Sequence, residues 1–317
     1  MKNPWDTLPE KFVQKLTLLT GEKKSQQILE SFCNHKPPTF RANTLKITAD
    51  ELEKNLKDEG FHIQRVEWYP NAFILLDQPQ KLLTATKWYL EGYLYVQSLS
   101  SMIPPLVLDP QKDDLVLDLT AAPGSKTTQI AAMMENSGTI IANDKSRIRL
   151  FKLVANLKLQ GVTNTQVLQI PGQFLWKKFP QYFDKILVDA PCSMEGRFVC
   201  DSPKSYTDWS PRKVEFLEEQ QKFLMRSAVS ATRKGGIIVY STCTLSPEEN
   251  EAVVDWILKK DAGKIQLIDI TSPTLPSEQG ITSWKNKIFD ESLKKTIRIF
   301  PTDTMEGFFI AKFQKIA

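Results

Sequence analysis

Two of the four cysteines in this chain stand close behind short apolar runs that are typical of buried strands. Cys192 comes three residues after Asp189, which ends one such run, and Cys243 comes three residues after Tyr240, which ends another. A lone buried cysteine is usually an inert apolar residue. Two cysteines at the ends of neighbouring strands instead indicate a pair of reactive thiols at one edge of a sheet.

A loop of small residues follows an earlier apolar run and has the pattern of a nucleotide site. Its residues are Thr120, Ala121, Ala122, Pro123, Gly124, Ser125 and Lys126. Small residues let a ligand approach the backbone, and the helix that follows offers its free N–H groups to a carboxylate or phosphate. About 20 residues further on, Asp144 is placed to accept hydrogen bonds from ribose hydroxyls.

The loop excludes two common nucleotide ligands. It lacks the G-x-G-x-x-G pattern of NAD sites. It also lacks the Walker pattern of ATP sites, because Ser125 and Thr120 stand where that pattern requires glycine. A single glycine and a ribose-binding acid suit S-adenosylmethionine, which has no phosphates. An ordinary tight turn from strand to helix fits this loop equally well, so the loop alone leaves both interpretations open.

Thiols beside such a cofactor favour one kind of methylation. Carbon 5 of cytosine is too weak a nucleophile to attack a methyl sulfonium, but thiolate addition at carbon 6 creates an enamine with a reactive carbon 5. A base must then remove the carbon-5 proton so that the thiol can leave. Asp189 is placed to assist the first step by hydrogen bonding at N3 of the ring. Methylation of an exocyclic amine needs no thiol.

The elements that position these residues alternate between apolar runs and helical segments. This alternation predicts an α/β fold, a doubly wound and mostly parallel sheet of seven strands, over residues 89–317. The predicted strands are Leu115–Leu119, Gly138–Ala142, Thr165–Ile170, Asp184–Val188, Gly236–Tyr240, Thr296–Phe300 and Gly307–Phe313. Ligands of such sheets bind beyond the carboxyl ends of the strands, where the loop and both cysteines lie.

Residues 1–88 have the pattern of a small α+β unit, of a kind that often serves as an accessory binding domain. Helical spacing and β-branched runs alternate there, with Thr48 as a helix cap. The predicted helices are Glu10–Leu19 and Glu22–Phe32, and the predicted strands are Phe40–Ile47, Phe61–Val66 and Ala72–Leu76.

Composition excludes several classes of protein. No apolar run reaches the roughly 18 residues that span a bilayer, and the first ten residues lack a secretory pattern. We therefore expect a cytoplasmic protein that contacts no membrane and whose Cys33 and Cys200 are free, structural thiols. The cysteines show no C-x-x-C pairing, which disfavours a metal site. The net charge of +4 permits a polyanionic partner without requiring one.

Taken together and in order, the motifs closely resemble the RsmB/Nop2/Sun family of RNA (cytosine-5) methyltransferases. The resemblance runs from about residue 40 to residue 313. Its segments are Arg41–Leu45, a predicted helix Gly92–Ser101, Ala121–Thr127, Asp189–Ser193, Ser241–Thr244, Glu248–Asn250 and Glu306–Phe309. It implies a class I methyltransferase fold, S-adenosylmethionine as cofactor, ribosomal or transfer RNA as substrate, and an RNA-recognition-like N-terminal domain. We expect a monomer. The Gly-Ser-Lys form of the loop is similar to bacterial small-subunit ribosomal RNA and archaeal transfer RNA enzymes.

The resemblance also implies a role for each site residue. In DNA cytosine-5 enzymes a Pro-Cys cysteine attacks, whereas in this RNA family the Thr-Cys cysteine attacks. That assigns the nucleophile to Cys243 and product release to Cys192. The backbone of Thr120–Lys126 and the side chain of Asp144 would hold the cofactor, Asp189 would line the pocket shared with the base, and Lys126 would lie near it.

Three positions depart from the family pattern. Thr120 replaces a usual cysteine. Pro171 replaces an aspartate near the adenosine, with Gln169 or Gln173 as possible substitutes. Met194 replaces a glycine, and its larger side chain is expected to narrow access for the flipped base.

The sequence leaves two alternative functions and the role of Arg41 undecided. Methylation of DNA or protein is disfavoured by the N-terminal unit and the Thr-Cys motif. A catalytically silent RNA-binding or ribosome-assembly factor is disfavoured by the retained Cys192, Cys243, Asp189 and Lys126. Arg41, which opens the first motif, has two equally supported roles: a contact with RNA phosphates, or a structural pairing at the start of a strand.

Overall fold

The structure is a computed structural model in which residues 3–271 and 275–317 are described. It begins with two helices, α1 (Glu10–Thr20) and α2 (Glu22–Cys33), whose ranges agree with the helical spacing of the sequence. A small antiparallel sheet and a large, mostly parallel sheet follow. In the two described stretches, no helix has the length and apolarity required to cross a membrane.

The small sheet has the strand order β2-β3-β1-β4 within the described residues. Its elements are β1 (Thr39–Ala42), α3 (Ala49–Asp58), β2 (Ile63–Val66), β3 (Tyr69–Leu75), α4 (Gln80–Thr84), α5 (Lys87–Leu90) and β4 (Leu94–Val96). As predicted, Thr48 caps α3, accepting a hydrogen bond from the Glu51 N–H. Because β4 pairs with β1, this sheet continues past residue 88, where the sequence-based domain boundary lies.

The prediction of a helix over Gly92–Ser101 is wrong for most of that range. Residues Leu94–Val96 form β4, and the next helix begins at Leu99. The edge of β1 supplies hydrogen-bond partners for this segment, and Tyr95 and Val96 are residue types that favour strands. Pairing with a distant strand therefore overrides the local pattern.

The larger domain alternates strands and helices, as predicted. Its elements are α6 (Leu99–Leu108), β5 (Leu115–Asp118), α7 (Ser125–Met133), β6 (Thr139–Asn143), α8 (Arg147–Gln160), β7 (Thr165–Leu168), β8 (Phe183–Asp189), α9 (Pro211–Ala231), β9 (Thr232–Thr242), α10 (Glu251–Lys260), β10 (Ile265–Leu267), β11 (Glu278–Gln279), β12 (Ser283–Trp284), β13 (Lys287–Ile288), β14 (Ile297–Ile299) and β15 (Phe308–Lys315).

Seven of these strands form the sheet that the sequence predicts, in the order β14-β15-β9-β8-β5-β6-β7. The strands from β7 to β9 are parallel, and β15 runs antiparallel between β9 and β14. The short β10 and β11 extend the sheet to nine strands in the described part of the chain. The predicted fold class is confirmed, with two short strands added at the antiparallel end.

Both faces of the large sheet are buried, which explains why its strands are continuous apolar runs. Leu117 and Ile186 point into one apolar cluster, with residues of α9 and α10. Their neighbours Val116 and Leu187 point into the opposite cluster, with residues of α6 and α7. This two-sided core holds the carboxyl ends of β5, β8 and β9 in fixed relative positions.

The expectation that Cys33 and Cys200 are free thiols is wrong. They form a disulfide with Cα atoms 4.9 Å apart, although 167 residues separate them in the sequence. Aromatic packing brings them together, because Phe32 of α2 contacts Phe198 of the segment that follows Cys192. The average redox conditions of a compartment do not determine whether two particular cysteines lie in contact. The N-terminal helices are thus attached to the larger domain.

Candidate active site

The parallel pairing of β8 and β9 brings the two remaining cysteines together. Asp189 on β8 lies opposite Ser241 on β9, so the loops that follow both strands leave the sheet side by side. The Sγ atoms of Cys192 and Cys243 lie 3.3 Å apart, within hydrogen-bonding distance for sulfur. The thiol pair that the strand ends indicated is therefore present at one edge of the sheet.

The two thiols have different surroundings. The hydrogen bond to Cys243, together with burial, raises the pKa of the Cys192 thiol well above its usual range. The thiolate form of Cys192 is therefore disfavoured at neutral pH, and the Cys192 sulfur remains an S–H group in contact with the sulfur of Cys243.

Asp189, which is half-buried, and the buried Lys126 form an ion pair beside the thiols. Lys126 Nζ lies 2.7 Å from Asp189 Oδ2 and also donates to Ser101 Oγ at 2.8 Å. The hydroxyl of Ser241 donates to Asp189 Oδ1 at 2.9 Å. With both oxygens bonded, the Asp189 carboxylate has a fixed orientation.

The side chains of Cys192, Cys243, Asp189 and Lys126 line one cleft of 710 Å³. Its walls also include Met194 and Arg197, from the loop after β8, and Tyr95 of the small sheet. A cleft of this volume is large enough for a nucleobase and its sugar. The cleft lies between the two domains, so both of them shape its opening.

The small-residue loop adopts the geometry that a close ligand requires. Gly124, at the start of α7, has φ 106°, and a Cβ there would lie 2.8 Å from Leu153 Cδ1 on α8. The backbone angle therefore favours glycine, and any larger residue would also displace the Leu153 methyl group. The hydroxyl of Thr120 donates to the carbonyl of Asp189 at 2.7 Å, which joins this loop to the thiol-bearing edge.

A second cavity, of 190 Å³, lies next to the loop and is lined by Thr120, Asp144, Gln173 and Phe223, among others. Asp144 is 2% exposed, and its Oδ1 accepts a hydrogen bond from the Ser146 N–H at 2.9 Å. Its Oδ2 lies 3.2 Å from Arg149 Nη1 but accepts no aligned hydrogen bond from any described residue. A buried carboxylate oxygen with spare capacity is suited to the hydroxyls of a ribose.

The two cavities share Thr120, Arg149 and Pro191 as lining residues. A ligand in the smaller cavity would therefore be adjacent to one in the larger cleft. Among the residues described, His, Cys, Asp and Glu form no cluster of three that could hold a metal ion.

Comparison with known families follows the same division of the chain. Residues 8–99 match the N-terminal domain of 16S rRNA methyltransferase RsmF, and residues 105–314 match 16S rRNA methyltransferase RsmB/F. The chain belongs to the RsmB/RsmF methyltransferase family. The resemblance inferred from the motifs is thereby confirmed.

Individual proteins that are similar to this RsmB/RsmF family member are also named as methyltransferases or their homologues. The tRNA (cytosine(49)-C(5))-methyltransferase of Pyrococcus abyssi is 36% identical, over 99% of this chain and 98% of that protein. The ribosomal RNA small subunit methyltransferase F of Pectobacterium carotovorum is 35% identical over 88% of this chain, which spans 56% of that longer protein. A crystal structure of a methyltransferase homologue from Pyrococcus horikoshii has a TM-score of 0.85 and 34% identity, covering 97% of this chain and 95% of that one.

Two departures from the family pattern acquire a structural meaning. Gln173 lines the smaller cavity, whereas Gln169 and Pro171 are not among the residues that line it in the described structure. Met194 has φ 60°, a left-handed conformation that favours glycine, which accounts for the usual glycine at this position. Its side chain is 44% exposed and lines the larger cleft.

The structural role is the correct one for Arg41. The residue is 0% exposed, so it cannot contact RNA phosphates from the surface. Its guanidinium donates to Gln97 Oε1, to the Ser125 carbonyl and to Thr128 Oγ1 at 2.7–3.1 Å. Arg41 therefore connects the small sheet to the start of α7 and so to the small-residue loop of this RsmB/RsmF protein.

Two residues near the site were missed by sequence reasoning. Asp118, the last residue of β5, accepts a hydrogen bond from Thr127 Oγ1 at 2.7 Å, and burial raises its pKa to about 7. Its polarity at the end of an apolar run was an available signal. Arg149 lines both cavities, although in the sequence it belongs to a basic run that resembles an ordinary solvated surface.

Proposed function

We propose that this protein transfers a methyl group from S-adenosylmethionine to carbon 5 of a cytosine in RNA, through a covalent bond between Cys243 and carbon 6. The observation that carries this proposal is the thiol pair, 3.3 Å apart, in a cleft that adjoins a nucleoside-sized cavity. The named activities of the Pyrococcus and Pectobacterium relatives, methylation of tRNA and of small-subunit rRNA, support RNA as the substrate.

The protonation of Cys192 supports Cys243 as the nucleophile. A thiol whose pKa is raised well above its usual range remains an S–H group, and an S–H group does not attack. Cys243 therefore adds to carbon 6, and carbon 5 gains the electron density that attacks the methyl group. After transfer, a base takes the carbon-5 proton, the double bond between carbons 5 and 6 re-forms, and the Cys243 sulfur leaves as a thiolate; the Cys192 S–H, in contact with that sulfur, assists this release by donating a hydrogen bond to it.

We place Asp189 at the N3 edge of the cytosine. There its carboxylate would accept a hydrogen bond from the exocyclic amino group of the cytosine and orient the ring, while the neighbouring Lys126 ammonium offsets the negative charge that addition at carbon 6 moves onto that edge. Lys126 and Ser241 hold the carboxylate in position, and Lys126 supplies a positive charge 2.7 Å from it. This arrangement needs no movement of protein groups during the reaction.

The smaller cavity suits the cofactor. S-adenosylmethionine, when bound, supplies an electrophilic methyl group on sulfur. Asp144 Oδ2 would accept from its ribose hydroxyls, and the N-terminus of α7 would face its carboxylate. Gln173 would lie beside the adenine, in the role of the aspartate that Pro171 replaces.

The small N-terminal sheet and the cleft rim would bind the RNA. Lys36, Arg149 and Arg197 line the cleft and would contact phosphates around a flipped cytosine, offsetting the few kcal/mol that unstacking costs. In this proposal the residues around β1 to β4 form the RNA-recognition domain, and the large sheet carries catalysis.

A methyl-acceptor assay tests the proposal. Purified protein is incubated with radiolabelled S-adenosylmethionine and with total RNA of the host from which the gene has been deleted. We expect nuclease-sensitive label that elutes as 5-methylcytidine after digestion, and bisulfite sequencing then locates the cytosine. Label in any other nucleoside, or in protein, would contradict the proposal.

A further inference from the structure

The residues that follow the two cysteines are bonded to each other. Ser193 comes directly after Cys192, and Thr244 comes directly after Cys243. Their hydroxyl oxygens lie 2.7 Å apart, and both side chains are buried. This contact links the two loops one residue away from each sulfur, so it bears directly on the distance between the thiols.

Glu249, which lies just before α10, stabilises the Ser193–Thr244 contact through hydrogen bonds to Ser193. Its carboxylate accepts hydrogen bonds from the N–H of Ser193, at 2.9 Å, and from the Ser193 hydroxyl. The side-chain amide of Gln221 on α9 donates to the same carboxylate and to the Pro191 carbonyl, both at 2.9 Å. Glu249 is 0% exposed. It therefore fixes both the backbone and the hydroxyl of the residue beside Cys192.

We propose that Glu249 is a positioning residue that holds the Cys192 and Cys243 thiols at reacting distance, acting through Ser193 and Thr244. This inference rests on the proposed function, in which the two thiols act in succession on one substrate. Glu249 touches neither thiol, so its contribution is to geometry. A carboxylate, or a side chain of the same shape, is needed because Ser193 presents two donors to it at once.

Other contacts join the same loops farther from the sulfurs. Ser246 Oγ donates to Glu195 Oε1 at 3.2 Å, and Lys15 of α1 contacts both residues. Glu195 and Ser246 each lie three residues beyond their cysteine, so these contacts preserve the fold of the loops when the inner contact is lost. Loss of the inner contact is therefore expected to widen the thiol separation without unfolding the chain.

Oxidative cross-linking by diamide measures that separation directly. Diamide takes two electrons and two protons from a neighbouring pair of thiols, forming a disulfide and a hydrazine, and the rate falls as the sulfurs move apart. Peptide mapping follows the Cys192–Cys243 bond separately from the Cys33–Cys200 disulfide. The assay needs neither RNA nor cofactor.

Glu249→Ala removes three hydrogen bonds, and we expect it to slow this cross-link about tenfold or more, at least the effect of losing one hydrogen bond to a charged group. Thr244→Val removes the bridging hydroxyl with little change of shape and should act in the same direction. Glu249→Gln keeps an acceptor and a donor at the same place and should restore most of the rate. Asp255→Asn, at a buried carboxylate of α10 that bonds Lys259 and the Asp290 N–H instead, should leave the rate unchanged.

The rate of methylation should decrease together with the rate of cross-linking. In Thr244→Val we expect kcat to fall and KM for RNA to stay the same. If Glu249→Ala fails to fold, the cross-linking rate of Thr244→Val decides whether the inference holds. A wild-type cross-linking rate in Thr244→Val, or an equal loss in Asp255→Asn, would overturn the inference. If the cross-link behaves as expected and the wild-type protein makes no 5-methylcytidine, the positioning role stands and the proposed function fails.

Discussion

The Sγ atoms of Cys192 and Cys243 lie 3.3 Å apart, and this contact, together with burial, raises the pKa of the Cys192 thiol well above its usual range. The contact follows from the parallel register of β8 and β9, which sets Asp189 opposite Ser241. The two thiols are therefore in direct contact, and burial disfavours the thiolate form of Cys192.

The first prediction concerns the nucleophile. Cys243→Ala should abolish methyl transfer to RNA, because no other described thiol than Cys192 lies in the cleft and that thiol stays protonated. Cofactor affinity, measured by calorimetry, should be unchanged, since the cofactor cavity does not include Cys243. Near-normal turnover of this variant would refute the assignment of Cys243.

A second prediction concerns the cofactor cavity. Asp144→Ala should weaken S-adenosylmethionine binding roughly tenfold to a hundredfold, because hydrogen bonds to a charged group contribute about 1.5–3 kcal/mol. Asp113→Ala, at an exposed acid outside the cavity, serves as the control. Equal affinities for the two variants would remove Asp144 from the site.

The third prediction uses the pH dependence of stability. The pKa of Asp118 is raised from 3.8 to about 7, so between these values the folded chain holds a proton that the unfolded chain has lost. Its contribution to the free energy of unfolding therefore declines as pH rises from about 4 to about 7. Asp118→Asn cannot titrate, so the stability of wild type relative to this variant should fall across that window. A difference that is constant with pH would contradict the raised pKa.

Arg41 provides a fourth prediction. Arg41→Ala leaves buried groups of Gln97 and Thr128 without their partner, which should lower the free energy of unfolding by roughly 2–5 kcal/mol. The salt dependence of RNA binding should keep its slope, because a buried guanidinium neutralises no phosphate. Arg197→Ala, at the cleft rim, should do the opposite: a reduced slope with little change in melting temperature.

Much of the fold and of the site's layout is readable from local pattern. Strands buried on both faces are continuous apolar runs, so β5, β8 and β9 were located to within a few residues, and with them the edge that carries Cys192 and Cys243. The loop before α7 and Asp144 follow from small-residue spacing. Each strand, and the loop with Asp144, is encoded in a short continuous stretch of sequence.

What the sequence did not show depends on contacts between distant residues. Strand β4 forms because β1 offers an edge 50 or so residues earlier, and the Cys33–Cys200 bond joins residues 167 apart. The burial of Arg41 depends on where α7 lies against the small sheet. Composition and periodicity describe the immediate neighbourhood of a residue and do not contain these distances.

The most direct test of the mechanism is to trap its covalent intermediate. In Cys192→Ala the addition of Cys243 and the methyl transfer should proceed, whereas release should stall for want of the second thiol. After incubation with RNA and S-adenosylmethionine, a denaturing gel should show a slow-migrating, nuclease-sensitive band, and mass spectrometry of its digest should find a methylated cytidine on the Cys243 peptide. The absence of this band, or its formation in Cys243→Ala through Cys192, would contradict the roles assigned to the two thiols.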